Sequence, residues 1–197
     1  MPSQIHLQPA SVPLGVYTNY CVPQQTTLVL KEKVWSLSGD TFRIVDQNGQ
    51  EVVQCRGQAF SLSDRKEFAD TQGRPLFSLR TKLLSLHKSF YAESPSGQIL
   101  FEVKGKFSIG SSKMIATFTN TANKAPVELL IKGDWFDRSA TISMNNVPVA
   151  QISRSYFNMR EIFASQQSYF VTVAPNVDLV LIAAICVCLD EKENEKK

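Results

Sequence analysis

The chain has 197 residues, 43% of them hydrophobic and 20% charged, with a formal net charge of +3. These values suit one large domain with a sizeable core and exclude a chain too polar to fold. A charge this small creates no demand for nucleic acid, and no RRM or OB aromatic motif points to it.

Residues 1–27 carry Pro2, Pro9, Pro13 and Pro23 among many Gln and Thr, and read as an extended, partly disordered arm. The start MPSQIHLQPA has no basic segment followed by an apolar one, so a cytoplasmic, reducing setting with four free cysteines is expected. Turn signals then recur. Asp46-Gln-Asn-Gly49, Asp70-Thr-Gln-Gly73 and Ser94-Pro-Ser-Gly97 set glycines 24 residues apart, and Asn145-Asn146 falls 48 beyond Gly97. Asp, Asn and Gly supply the side-chain hydrogen bond and the positive φ of a tight reversal. A β-rich run follows each: Glu51–Cys55, Pro75–Leu79, Ile99–Val103 and Val147–Ile152. Alternation at Phe42/Ile44, Phe60/Leu62 and Phe77/Leu79, with the β-rich runs at 127–131 and 169–173, raises the total to roughly a dozen strands.

The chain ends on eleven uncharged residues, Leu179 to Leu189 (LVLIAAICVCL), followed by a charged tail, residues 191–197. A helix apolar on every side belongs in a core or a membrane. A bilayer span needs about 20 such residues, so no transmembrane span is expected and the helix, at about 178–190, belongs inside the protein. Asp178 stands where it would cap that helix.

Fold class follows from sheet edges. A dozen antiparallel strands hide their edges by closing, and such a barrel is wider than its own side chains fill, since about eight strands reach that limit. The expected fold over residues 28–190 is therefore mostly β: a closed, roughly 12-stranded antiparallel barrel around a central hydrophobic C-terminal helix.

Three segments carry a family resemblance. Gly133-Asp134-Trp-Phe-Asp137-Arg138-Ser-Ala-Thr-Ile142, Asp70-Thr-Gln-Gly73-Arg-Pro-Leu76 with Arg80-Thr-Lys-Leu-Leu-Ser-Leu-His87, and Val173-Ala-Pro-Asn-Val-Asp178 together resemble the LURP-one-related proteins. That family is grouped with tubby C-terminal domains and phospholipid scramblases. The resemblance implies a 12-stranded barrel around a central helix, and a non-enzymatic module discussed as a membrane-tethered regulator. Tubby domains bind phosphoinositide headgroups, but no motif here matches their binding positions. The Asp-rich calcium segment of scramblases is also missing: Asp178 stands alone before the apolar run, and Asp190-Glu191 lacks the alternating oxygen ligands of a calcium loop.

Candidate sites are few. No cofactor or metal motif occurs: there is no CxxC, HExxH, glycine-rich phosphate loop or G-x-S-x-G elbow. Asp134, Asp137 and Arg138 admit an acid pair with an anion clamp; a turn with a structural ion pair is preferred. His87 is read as a hydrogen-bonded strand residue rather than a base. Residues 80–132 hold eight basic and three acidic residues. Within them Lys104, Lys106 and Lys113 read as an acid-free basic loop, with Arg80, Lys82 and Lys88 nearby. The functional reading is a peripheral patch for anionic lipid headgroups; an ordinary solvated surface is the alternative. Two functions follow: a module binding anionic membrane lipid or a protein partner, or a membrane-associated, scramblase-like protein using its apolar helix.

Overall fold

A computed structural model describes residues 6–31, 41–57, 65–82, 88–106, 112–134, 139–153 and 168–194. Twelve strands appear in chain order: β1 Thr26–Lys31, β2 Thr41–Asp46, β3 Glu51–Gly57, β4 Arg65–Ala69, β5 Pro75–Thr81, β6 Ser89–Glu93, β7 Ile99–Lys106, β8 Ser112–Thr119, β9 Pro126–Asp134, β10 Ser139–Met144, β11 Val147–Ser153 and β12 Ser168–Val173. Each pairs antiparallel with its sequence neighbours, and β12 pairs with β1 from Thr26↔Val173 to Lys31↔Ser168, so the barrel is closed. Closure leaves no unpaired edge to aggregate. The expected alternation at Phe60 and Leu62 lies outside the described residues.

The turns form as their residues require. Gly49, Gly73 and Gly97 sit at φ of +77°, +80° and +86°, and each donates its N–H to the carbonyl three residues back. Asn145 and Asn146 both have positive φ, the backbone of a two-residue hairpin turn.

The last element, α1, spans Leu179–Asn194. It runs four residues past the expected end at 190, so part of the charged tail is helical. Every residue from Leu179 to Leu189 is at most 4% exposed. Val, Ile and Cys are mediocre helix formers, but inside a closed barrel no strand edge is available to them. Only a helix satisfies its own backbone groups there. Inward-facing side chains of the strands complete the core, among them Phe68, Phe77, Phe90, Phe101, Met114, Leu129 and Ile131. Each fully buried side chain of this kind is worth about 1.5–3 kcal/mol.

The N-terminal segment departs from expectation. Residues 6–25 are not loose: they close the end of the barrel where the tight turns lie. Ala10 N–H donates to Pro175 O at 3.0 Å, Leu14 N–H to Asn176 O at 2.8 Å and Asn176 N–H to Val22 O at 2.8 Å. Leu7 and Leu14 are buried against the core, and the Tyr17 ring stacks on Phe77 at 6.2 Å. Its proline- and glutamine-rich composition hides this, because the anchors are mainly backbone groups.

Candidate anion-binding surface

Alternation along β7, β8 and β9 sends Phe101, Val103, Met114, Ala116, Leu129 and Ile131 inward. The same pleat sends Lys104 and Lys106 of β7, Lys113 of β8 and Lys132 of β9 outward. Register decides which of them meet. Lys106 pairs with Lys113, and Lys113 pairs with Lys132. Three lysines therefore stand side by side across three strands, with Cβ atoms about 5 Å apart at each step. Lys106 and Lys132 are exposed and Lys113 is half-buried. Among the described residues none of the three has an ion-pair partner. Like charges directly opposite one another are destabilising in a sheet, so this row is a local cost that the rest of the barrel carries.

The other expected patch residues are placed differently. Lys104 lies two residues from Lys106, but its ammonium is 2.8 Å from Glu102. Lys82 binds the other oxygen of Glu102. The ammonium groups of Lys104 and Lys82 hold the Glu102 carboxyl below the usual glutamate range. Arg80 Nε lies 3.1 Å from a Glu93 oxygen. Lys88 is nearly buried, donates to the Glu191 backbone carbonyl at 3.0 Å and sits 4.0 Å from the Glu191 carboxylate. The Glu191 carboxylate also takes Lys66 at 2.7 Å. Of the three residues expected in an acid-free loop, Lys104 and Lys106 lie at the end of the β7 ladder and Lys113 is the second residue of β8, because Gly105 continues the ladder opposite Met114. Lys106 and Lys113 alone of the six expected patch residues join the unpaired row.

The third member, Lys132, escapes sequence reading. Its position just after the Val127–Ile131 run marks an outward site, but only the barrel's register sets it beside Lys113. In the last turn of α1, Lys192 Nζ donates to the Lys113 carbonyl at 3.2 Å. Beside Lys132 a groove of about 590 Å³ runs over β9 and β10, lined by Leu130, Lys132, Ser139, Thr141, Ser143 and Asn146. Thr141 is the register partner of Lys132 and continues the row.

The remaining hallmark residues that are described sit at a turn, at the end of a strand and at the start of the helix. Asp70 Oδ1 accepts from Gln72 N–H and Arg74 N–H, both at 2.9 Å, and its Oδ2 meets Arg74 Nε at 2.6 Å, tying the turn that Gly73 completes. Gly133 lies so close to β10 that a Cβ there would stand 2.2 Å from Ser139 O and 2.4 Å from Ala140 Cα. Asp134 ends β9 opposite Ser139. Asp137, Arg138 and His87 lie outside the described residues. Asp178 is wholly buried: Oδ1 accepts from Val180 and Leu181, Oδ2 from Val16 and Tyr17. Burial pushes its carboxyl up to about 6, against the downward pull of those four backbone N–H groups.

Chemistry at a nucleophile finds little support here. Burial pushes the Cys55 thiol up to about 12 and raises Cys186 and Cys188 as well, which disfavours the reactive thiolate. Among the described residues no three His, Cys, Asp or Glu side chains cluster to hold a metal ion.

Comparison with known proteins joins this barrel to a family. Residues 26–190 match the family described as LURP-one-related. The chain belongs to the LURP-one-related family. Among its relatives, Protein LURP-one-related 15 of Arabidopsis thaliana is 26% identical over 185 residues, covering 90% of this chain and 85% of that protein. Protein LURP1 of the same plant is 25% identical over 185 residues, with 90% and 89% covered. YxjI of Bacillus subtilis (strain 168) is 29% identical over 164 residues, with 83% and 91% covered. The X-ray structure of another Arabidopsis thaliana protein has the same fold, with a TM-score of 0.65, 24% identity and coverage of 91% of this chain and 98% of that one. The LURP-one-related barrel is thus a closed 12-stranded one with a single C-terminal helix in the described chain.

Proposed function

We propose that this LURP-one-related protein is a non-enzymatic binding module that docks peripherally on anionic membrane lipids, through the outer face of β7–β9. One observation carries the reading: Lys106, Lys113 and Lys132 stand in register with no acidic partner among the described residues. Each basic residue near an anionic surface contributes about 1 kcal/mol. The place of action is the cytoplasmic leaflet, where such lipids concentrate.

The alternative, a scramblase-like protein that embeds its apolar helix, has less support. The apolar part of α1 is buried in the barrel, and among the described residues no helix is long and apolar enough to cross a membrane.

The test is sedimentation with phosphatidylserine vesicles. Binding is expected at 0.1 M salt and largely lost at 1 M, as the screening length falls from about 10 Å to about 3 Å. Replacing all three lysines with Gln removes about 3 kcal/mol, roughly a hundredfold in affinity. Wild-type binding that ignores both salt and substitution overturns the reading. Absence of vesicle binding at low salt turns the row toward an acidic protein partner.

A further inference from the structure

We infer that the lysine row and the groove beside it form one site for a single molecule that carries closely spaced phosphate groups. The inference rests on the same lysine row as the membrane reading and narrows its ligand. The lysine-bearing positions of the three strands follow one another at about 5 Å between Cβ atoms, so phosphate groups joined in one molecule can engage all three ammonium groups at once. A bound polyanion also neutralises the repulsion within the row. One polyvalent anion relieves both Lys106–Lys113 and Lys113–Lys132 contacts while losing its translational freedom once.

The row continues to Thr141 on β10 and from there to Gln151 on β11. The groove brings the hydroxyls of Ser139, Thr141 and Ser143 and the side chain of Asn146 to the same place, with no acidic residue among the described residues that line it. Hydroxyls and amides donate to phosphate oxygens without adding charge. A purely electrostatic landing face has no need of them; a site that orients a phosphorylated group does.

Two sources carry this chemistry, a multiply phosphorylated lipid headgroup and a free polyphosphate, and the experiment separates them. Isothermal titration of the full chain with inorganic tripolyphosphate is expected to saturate at one per chain. Orthophosphate at the same ionic strength is expected not to saturate. K113Q is expected to weaken tripolyphosphate about fivefold, the equivalent of about 1 kcal/mol, T141V is expected to weaken it as well, and K124Q in the β8–β9 turn leaves it unchanged. Unaltered thermal midpoints of the free variants show that folding is intact. In parallel, vesicles bearing a bisphosphorylated headgroup are compared with phosphatidylserine vesicles of equal total charge. Saturable tripolyphosphate binding with preference for the bisphosphorylated vesicles supports the site and a lipid source. Saturable binding without any vesicle binding supports the site and a free source, and removes the membrane reading. Vesicle binding that follows total charge alone, with no saturable tripolyphosphate binding, overturns this inference and leaves the membrane reading standing. Saturable binding that K113Q and T141V leave untouched also overturns it.

Discussion

Asp178 accepts the Tyr17 backbone N–H at 2.8 Å across 161 positions of sequence, while its other oxygen accepts the N–H groups of Val180 and Leu181. One buried carboxylate thus caps the central helix and pins the N-terminal segment over the same barrel end. Gly15 makes the approach feasible: it sits at φ +158°, and a Cβ there would stand 2.1 Å from the Asp178 Cβ.

Asp178→Ala should therefore be among the costliest single changes outside the apolar core. It orphans four backbone N–H groups, each costing about 1–3 kcal/mol where water cannot reach. A loss of about 4 kcal/mol or more in urea unfolding is expected. Asp178→Asn keeps one accepting oxygen and should lose less. A loss below about 1 kcal/mol for the alanine variant would show that neither cap nor strap matters to the fold.

Ala184 lies midway along the apolar run of α1 and is completely buried. Ala184→Asp places an unpaired charge in the lumen, at a cost of several kcal/mol. Failure to obtain soluble protein with a cooperative transition is the expected result. A folded, soluble variant would mean that the helix does not occupy the barrel.

Gly133→Ala tests the close approach of β9 and β10. The added methyl meets backbone atoms at 2.2 and 2.4 Å, and backbone yields less readily than a side-chain tip. Overpacking of this kind costs about 1–3 kcal/mol. Circular dichroism melting should show a lower midpoint with the β signal retained; an unchanged midpoint would show that the strands part freely.

Glu102 gives a pH dependence of known sign. Lys104 and Lys82 depress its pKa below the ordinary 4.5. A depressed carboxyl contributes stability that is fully present above the unfolded pKa and lost as pH falls through the folded one. The stability advantage of wild type over Glu102→Gln should therefore be constant from pH 7 down to about 5. It should shrink progressively below 4.5. The same variant releases Lys82 and Lys104, so it should bind anionic vesicles more tightly at pH 7. A stability difference independent of pH, with unchanged vesicle binding, would show that the Glu102 clamp is not formed.

Local chemistry made the turns and the helix legible. Gly49, Gly73 and Gly97 announce reversals because positive φ is a property of the residue itself. The apolar run from Leu179 to Leu189 announces burial because it leaves no face for water, and its length alone argues against a span. Closure followed by reasoning from edges and lumen width. Signals of this kind reside in one residue or one short segment. They survive without knowledge of what lies across the strand.

Placement of the charges did not survive that way. A count over residues 80–132 showed a basic excess, yet four of the six residues it singled out, Arg80, Lys82, Lys88 and Lys104, are matched by Glu93, Glu191 and Glu102. The N-terminal anchors were equally hidden, since Ala10 and Leu14 are held by main-chain bonds that any residue but proline can make. The amino-acid sequence by itself determined that strands alternate, where they turn and that the last helix must hide. Only the tertiary structure decided that Lys132 stands beside Lys113, nineteen positions away in the chain. Cross-strand register depends on how all twelve strands close around α1, and a shift of one residue would turn that lysine to the other face.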